Sequence, residues 1–246
     1  MERLLGIHAV AEALAAGRAL ERIVIAQGRH GERVEEIVRQ ARARGVPVRF
    51  EERAQLDRLA ATREHQGIVA LAAAKRALAL EDLLTTHSRD GLLVLLDGVE
   101  DPHNLGAIVR TALAARAQGV VIPERRAAGL TEAVSRASAG ALEHLPVARV
   151  KNLPRAMEQL KEAGYWLVGL DERAPKAYTE VDFTGSTGVV LGSEGEGLHE
   201  LTRKRCDFLV SIPAAGPVRS LNVSVAAGVV LFEAVRQRQN KNQKPR

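Results

Sequence analysis

The feature that most constrains the fold is a set of short, almost wholly apolar runs in the second half of the chain. The clearest is Leu92–Leu96, in which every residue is apolar. A run of this length without polar alternation is typical of a strand buried on both faces of a parallel sheet. Segments with helical periodicity separate the runs, which predicts an α/β fold with helices on both faces of the sheet. The other runs are Gly119–Ile122, Trp166–Leu170, Gly188–Leu191 and Phe208–Ile212.

The first part of the chain predicts a separate, smaller α/β unit. Strand patterns at Arg22–Ala26 and Gly67–Leu71 alternate there with helical stripes. The pattern then loosens before the first long apolar run. We therefore predict a small domain at 1–74, a linker at 75–90 and a larger domain at 91–246.

Composition narrows the class of protein. The chain has 246 residues and a formal charge of +5, which is compatible with a polyanionic partner without demanding one. Cys206 is the sole cysteine, which excludes an intrachain disulfide and a cysteine-based metal site and favours a reducing compartment. No histidine spacing is typical of zinc, and no signal peptide or membrane-spanning run is evident. We expect a cytoplasmic protein without a metal and a structural role for Cys206.

Three polar segments each begin within an apolar run and continue beyond it. They are Leu95–Ala112, Val189–Leu198 and Ser211–Ala226. Ligands bind to open parallel sheets outside the carboxyl ends of the strands, so these segments can converge on one crevice. We predict a polar pocket there, where backbone N–H groups and short side chains face a ligand.

The first segment places Asn104 and Arg110 on a helix. Asp101 is predicted to cap this helix, and Pro102 to occupy its first turn. Six residues rotate a helix by about 600°, which leaves the side chains of Asn104 and Arg110 about 120° apart. By itself, the segment is also typical of a capped helix with a solvated arginine.

The other two segments combine glycine with small polar residues. Gly192 and Glu194 belong to a glycine-rich turn that is neither a dinucleotide fingerprint nor a phosphate-binding loop; alone, it fits a surface turn with solvated carboxylates. Ser220 and Asn222 lie at the start of the last helix, predicted at Leu221–Gln239, and alone they fit N-caps. Capping and turns do not explain all three segments in this order.

Together the segments resemble the signature motifs of the SPOUT superfamily, in its SpoU (TrmH-like) branch of RNA ribose 2′-O-methyltransferases. The resemblance extends to Gly6–Val10, His65–Ala70 and Ser138–Pro146 and so covers nearly the whole chain. It implies an L30e-like RNA-binding domain followed by a parallel-sheet domain with a deep trefoil knot. It also implies a homodimer with the site near the subunit interface.

The resemblance implies S-adenosylmethionine as the methyl donor, bound by backbone groups around Gly192, Ile212 and Leu221. The catalytic set that it implies is Asn104, Arg110, Glu194, Ser220 and Asn222. Because a guanidinium with a pKa above about 12 resists deprotonation, we expect Arg110 to clamp the RNA phosphate beside the reacting ribose.

The implied substrate is a guanosine in the P-site loop of 23S ribosomal RNA, alone or in the assembling large subunit. Methylation of another rRNA nucleotide, as in thiostrepton-resistance enzymes, and methylation of tRNA are alternatives. A non-catalytic RNA-binding protein of ribosome assembly is an alternative of a different class. The complete catalytic set argues against this last alternative.

Overall fold

The computed structural model describes residues 1–85, 90–217 and 220–243, and they form two β-sheets that follow one another along the chain. Both sheets are covered by helices. None of the helices in these ranges combines the length and the hydropathy that a bilayer crossing requires.

The first sheet lies within the predicted small domain. Its elements are β1 (Glu2–Leu5), α1 (Ile7–Ala15), β2 (Leu20–Ala26), α2 (Glu32–Ala43), β3 (Val48–Glu51), α3 (Arg53–Ala60) and β4 (Ile68–Ala72). The strand order is β1-β4-β2-β3, with only β2 and β3 parallel. The sequence analysis missed β1, because this short strand exists through its pairing with the distant β4.

The second sheet is wholly parallel, which confirms the predicted α/β fold with a parallel sheet. Its strands run in the order β10-β8-β9-β5-β6-β7. The strands are β5 (Leu92–Asp97), β6 (Gly119–Pro123), β7 (Val147–Val150), β8 (Trp166–Leu170), β9 (Thr187–Gly192) and β10 (Phe208–Val210). The helices are α4 (Leu80–Thr85), α5 (Pro102–Ala114), α6 (Glu132–Ala137), α7 (Leu153–Glu162), α8 (Glu200–Arg205) and α9 (Val223–Gln243).

The apolar run of β5 became a strand because both of its faces are buried. In β5, Leu92, Val94 and Leu96 pack in the cluster that includes α5 and α9. Leu93 and Leu95 pack in the cluster that includes α4 and α7 on the opposite face. Burying each such leucine stabilises the fold by about 2 kcal/mol relative to leaving it exposed.

Some element boundaries differ from the predictions. β10 ends at Val210 rather than Ile212, because Ser211 leaves the sheet and bridges to Ala177. β7 was not predicted, because its four residues include an exposed arginine. The last helix begins and ends later than predicted, at Val223 and Gln243.

The described part of the predicted linker lies against the second sheet. Leu78 forms a bridge with Ala148 next to β7, and Leu80 and Leu83 of α4 are buried. Residues 86–89 lie outside the described residues. The predicted division into a small domain at 1–74, a linker at 75–90 and a larger domain from 91 therefore stays a prediction.

A buried ionic network joins the two sheets. Arg18 donates from one side-chain nitrogen to Glu2 and from the other to Glu143, each over 2.6 Å. The side chains of Glu2 and Glu143 are only 6% and 4% exposed. Lys75 lies beside both carboxylates and donates to the backbone oxygen of Leu142. The network balances two cations against two carboxylates between the sheets.

Candidate active site

The predicted convergence of the three polar segments is observed at the carboxyl edge of the second sheet. α5 begins at Pro102, and the carboxylate of Asp101 accepts a hydrogen bond from the backbone N–H of His103 over 2.9 Å. This confirms the predicted cap. It directs Asn104, which is 7% exposed, toward the loops that follow β9 and precede α9.

One residue from each segment meets in a cluster of two amides and one carboxylate. Asn104 Nδ2 donates to Glu194 Oε1 over 3.0 Å. Asn222 Nδ2 donates to the same oxygen over 2.5 Å and to Asn104 Oδ1 over 3.0 Å. Glu194 Oε2 has no hydrogen-bond partner in the described part of the chain. We call this set, Asn104, Glu194 and Asn222, the amide–carboxylate cluster.

Asn222 performs two tasks at once. Its Oδ1 accepts from the backbone N–H of Ser224 over 2.9 Å, so it caps α9. This cap requires the oxygen to face the helix, which leaves Nδ2 to face Asn104 and Glu194. The capping interpretation and the site interpretation of Asn222 are therefore compatible.

Steric constraints explain why the turn after β9 is rich in glycine. A Cβ on Gly192 would lie 2.1 Å from the carbonyl carbon of Gly197 and 2.4 Å from the nitrogen of Leu198. The turn closes through paired backbone hydrogen bonds between Ser193 and Gly197 of 3.0 and 3.1 Å. Gly195 and Gly197 both have positive φ, at 92° and 70°, where glycine is favoured. These glycines let the chain fold back and place Glu194 in the cluster.

Two cavities lie on either side of Glu194. The first, which we call the β8-side cavity, has a volume of about 340 Å³ and is lined by four of the predicted site residues besides Glu194. These four are Gly192, Ile212, Ser220 and Leu221. Its wall also includes apolar Leu191 and Val210, the carboxylates of Glu194 and Glu196, and Arg173. This mixed lining suits a ligand with an apolar body and charges of both signs.

The second, which we call the β6-side cavity, has a volume of about 530 Å³. It shares Ser193, Glu194, Glu196 and Val223 with the first cavity, and it also contacts Asn104. The sequence analysis missed two of its lining residues, Arg126 and His199. Arg126 could have been suspected, because it follows a strand at the ligand-binding edge of the sheet.

Arg110 is the one predicted catalytic residue that is separate from this arrangement. As the helical geometry predicts, Arg110 is exposed while Asn104 is buried. It lines neither cavity, and it has no side-chain hydrogen bond or ion pair within the described ranges. Its helix, α5, packs against α9. The outer face of α9 exposes Val225 and Phe232, with 52% and 51% of their surfaces accessible.

Cys206 has the properties of a structural residue. Burial raises the pKa of its thiol to about 12, so the thiol stays protonated at neutral pH. Its Sγ lies 3.4 Å from the backbone oxygen of Thr202.

Across the described residues, no group of three or more histidine, cysteine or acidic side chains could hold a metal ion.

Two family models together match most of the chain. The SpoU rRNA Methylase family matches residues 91–232, which is more than half of the sequence. A model for RNA 2′-O ribose methyltransferase substrate binding matches residues 3–78.

Relatives of the same kind span almost the whole chain. The 23S rRNA (guanosine-2′-O-)-methyltransferase RlmB of Shewanella oneidensis is 46% identical over 242 residues, which are 96% of this chain and 98% of that protein. YacO of Bacillus subtilis, whose name assigns it to the TrmH family of tRNA/rRNA methyltransferases, is 42% identical over 238 residues, with coverages of 96% and 95%.

A solved structure is similar over nearly the full length. The SpoU methyltransferase AviRb of Streptomyces viridochromogenes has a TM-score of 0.84 at 29% identity, covering 98% of this chain and 90% of AviRb. The complex of AviRb with the cofactor AdoMet has a TM-score of 0.81 at 28% identity, with coverages of 97% and 90%.

Proposed function

The chain belongs to the SpoU rRNA methylase family, and we propose that it methylates the 2′-hydroxyl of a guanosine in the P-site loop of 23S ribosomal RNA with S-adenosylmethionine. The observation that carries the proposal is the amide–carboxylate cluster between two cavities. One cavity suits a methyl donor, and the other leaves room for the nucleotide that receives the methyl group.

The β8-side cavity fits S-adenosylmethionine. A flat adenine suits the lining formed by the backbone of Gly192 and the apolar side chains of Ile212 and Leu221. The carboxylates of Glu194 and Glu196 suit a positively charged sulfonium, and the Arg173 guanidinium suits a carboxylate. When bound, S-adenosylmethionine supplies an electrophilic methyl group beside the cluster.

Glu194 is held in place for the acceptor ribose. Both amide groups of the cluster donate to its Oε1, which prevents the carboxylate from rotating freely. Its Oε2 is therefore available to accept a hydrogen bond from the bound acceptor nucleotide at the border of the two cavities. Ser220 lines the β8-side cavity, from which it orients the acceptor. Positioning of this kind supplies much of the rate in a methyl transfer between two bound reactants.

Arg110 clamps the RNA phosphate next to the reacting ribose, and a phosphate oxygen or a water receives the hydroxyl proton. A planar guanidinium forms bidentate contacts with phosphate, whereas lysine does not. Arg110→Lys should therefore lower kcat/KM about 100-fold while S-adenosylmethionine affinity stays unchanged. Near-normal turnover of this variant would contradict the clamp.

We also propose a homodimer, in which the exposed Val225 and Phe232 of α9 are covered by a second copy. Because α5 packs on α9, a dimer formed there brings Arg110 close to the partner. The knot implied by the family is supported by the strand order, since the chain returns from the edge strand β10 to α9 beside α5. Light scattering of the purified protein tests the dimer.

The first sheet with its helices, which we take to be the L30e-like domain, supplies RNA affinity. Phe50 is 51% exposed and lines a groove with Arg29, Arg39 and Arg42. An exposed aromatic among arginines suits stacking on an unpaired base together with phosphate contacts.

The decisive experiment maps ribose methylation across ribosomal RNA and tRNA in cells that lack this chain. Loss of one 2′-O-methylguanosine in the P-site loop supports the proposal. Loss at another rRNA nucleotide or in tRNA establishes one of the alternative substrates. Transfer of labelled methyl from S-adenosylmethionine to unmodified rRNA by the purified protein excludes a non-catalytic assembly protein, and its absence would refute the proposed activity.

A further inference from the structure

The β6-side cavity contains charged side chains that the methyl-transfer proposal does not use. Arg126, His199 and Glu100 line it beside Asn104 and Glu194. They come from three loops, after β6, before α8 and after β5, respectively. Side chains of both charge signs thus face one cavity that borders the reacting ribose.

The guanidinium of Arg126 contacts His199, which lies against Asp97 in turn. The backbone of Arg126 has a φ of +56°, an uncommon value for a residue with a side chain. Its Nη1 lies 3.4 Å from His199 Nε2. His199 in turn lies with Nδ1 3.0 Å from Asp97 Oδ1, and its backbone N–H donates to Asp97 Oδ2 over 2.9 Å. Asp97 is 6% exposed at the end of β5, so it anchors the chain of contacts to the sheet.

Glu100 is a lining carboxylate that is free for a ligand, as is Glu196, which also lines the β8-side cavity. Asp101 caps α5 and Glu194 is engaged by the cluster, whereas Glu100 is exposed and has no ion pair or side-chain hydrogen bond among the described residues. Glu100 and Arg126 also line the adjoining cavity beyond Pro102 together. Glu100 and Arg126 therefore lie near each other without forming an ion pair.

We infer that this cavity binds the base of the methylated nucleotide and that Arg126 and Glu100 select guanine, an inference that rests on the proposed function. Arg126 donates to guanine O6 and N7, which is the commonest specific arginine–base contact. Glu100 accepts from guanine N1–H and the 2-amino group. Adenine has an amino donor in place of O6 and an acceptor at N1, so it presents the wrong polarity to both side chains.

The geometry is consistent with the transfer reaction. Asn104 and Glu194 border the β6-side cavity, and Glu194 also borders the β8-side cavity. A base in the β6-side cavity therefore places its ribose at the amide–carboxylate cluster, next to a methyl donor in the β8-side cavity. Target bases in RNA are commonly read in this way, as unstacked nucleotides contacted along their edges. His199 is a positioning residue that acts through Arg126.

The test uses synthetic hairpin RNAs that contain the nucleotide mapped above. The target position carries guanosine, 7-deazaguanosine, inosine or adenosine, and kcat/KM for methyl transfer is measured with the wild-type protein, Arg126→Gln and Glu100→Gln. For the wild-type protein, removing N7 or the 2-amino group should lower kcat/KM about tenfold each. Arg126→Gln should lose about tenfold on guanosine and show no further loss with 7-deazaguanosine. In the same way, Glu100→Gln should show no further loss of kcat/KM when inosine replaces guanosine at the target position.

The positioning role of His199 has its own readout. His199→Ala should raise KM for the guanosine hairpin and reduce discrimination against 7-deazaguanosine, with kcat nearly unchanged. His199→Gln, which keeps an acceptor near Arg126, should restore part of the discrimination. A purely structural role would lower both kcat and the affinity for S-adenosylmethionine instead.

The outcomes separate the two proposals. Equal methylation of all four hairpins by the wild-type protein would overturn base reading by Arg126. So would an equal loss of kcat/KM with 7-deazaguanosine in Arg126→Gln and in the wild type. In both cases the methyltransferase function stands. If the mapped nucleotide is not a guanosine, the inference also fails. If the wild-type protein transfers no methyl to any hairpin or to rRNA, the proposed function itself fails.

Discussion

The amide–carboxylate cluster and the ionic network between the sheets are both polar groups brought together from distant parts of the chain, but they differ in charge and access. Arg18 and Lys75 neutralise Glu2 and Glu143 in a buried space. In the cluster, neutral amides hold the exposed carboxylate of Glu194 between two cavities.

This difference indicates what each arrangement does. A charge-balanced group without access to a ligand joins two parts of a fold, and its loss appears as lower stability. A carboxylate held by neutral donors keeps its negative charge for a ligand, and its loss appears in binding and turnover. The following changes test that distinction, from the largest expected effect to the smallest.

Arg18→Met should destabilise the protein most. It leaves two nearly buried carboxylates with Lys75 as the one remaining cation of the network, which costs about 3–5 kcal/mol in the free energy of unfolding, measured with urea. Arg39→Met is the matched control, because the ion pair of Arg39 with Glu36 is exposed and contributes less than about 1 kcal/mol. Equal losses for the two variants would show that the buried network is not a special source of stability.

Gly192→Ala should abolish most S-adenosylmethionine binding. The added Cβ would lie within 2.4 Å of three backbone atoms of the turn, so the turn must open and Glu194 must move. We expect at least a 100-fold weaker affinity, equal to about 2.7 kcal/mol, by calorimetry. Gly185→Ala is the control, because a Cβ there meets nothing within 4 Å. Unchanged affinity in Gly192→Ala would contradict the assigned cofactor site.

Substitutions at Asn222 separate its two tasks. Asn222→Ser keeps a capping oxygen for α9 but removes the amide that donates to Glu194, so kcat should fall about tenfold with nearly unchanged stability. Asn222→Ala should show the same fall in kcat and a further loss of about 1 kcal/mol in stability. If the serine variant keeps full activity, the cluster does not contribute to turnover and Asn222 is only a cap.

Arg42→Gln should have the smallest effect, because Arg42 is an exposed cation outside both polar groups. The slope of log affinity for rRNA against log salt should decrease by about 0.7–0.9, as expected for one lost phosphate contact. Stability and S-adenosylmethionine affinity should stay unchanged. Arg155→Gln serves as the control, because Arg155 is an exposed arginine on α7. If Arg155→Gln lowers the salt slope by the same amount, the effect is not specific to the first sheet and its helices.

Much of the fold could be predicted because its signals are local. The run at Leu92–Leu96 is long and apolar enough to specify a buried strand without knowledge of its neighbours. The cap at Asp101 is similarly encoded within a few residues. β1 and β7 were missed because each is short, and each becomes a strand only by pairing with another segment.

The candidate site was predicted in part for the same reason. Glycine and small polar residues at strand ends pointed to the three loops, and the resemblance to the SpoU branch implied Asn104, Glu194 and Asn222 within them. The structure places these three residues in hydrogen-bond contact. Arg126 and His199 escaped notice because only the fold brings their two loops to the same cavity. Their contact joins residues 73 positions apart.

The sequence by itself determined which segments are buried strands, where helices begin and which loops carry short polar side chains, because hydrophobic periodicity and capping act over a few residues. Only the tertiary structure decided which loops meet, that Glu194 separates two cavities and that Arg18 neutralises Glu143 from 125 positions away. The physical reason is that strand pairing and the pairing of buried charges depend on distances in space, which a local pattern of residues does not contain.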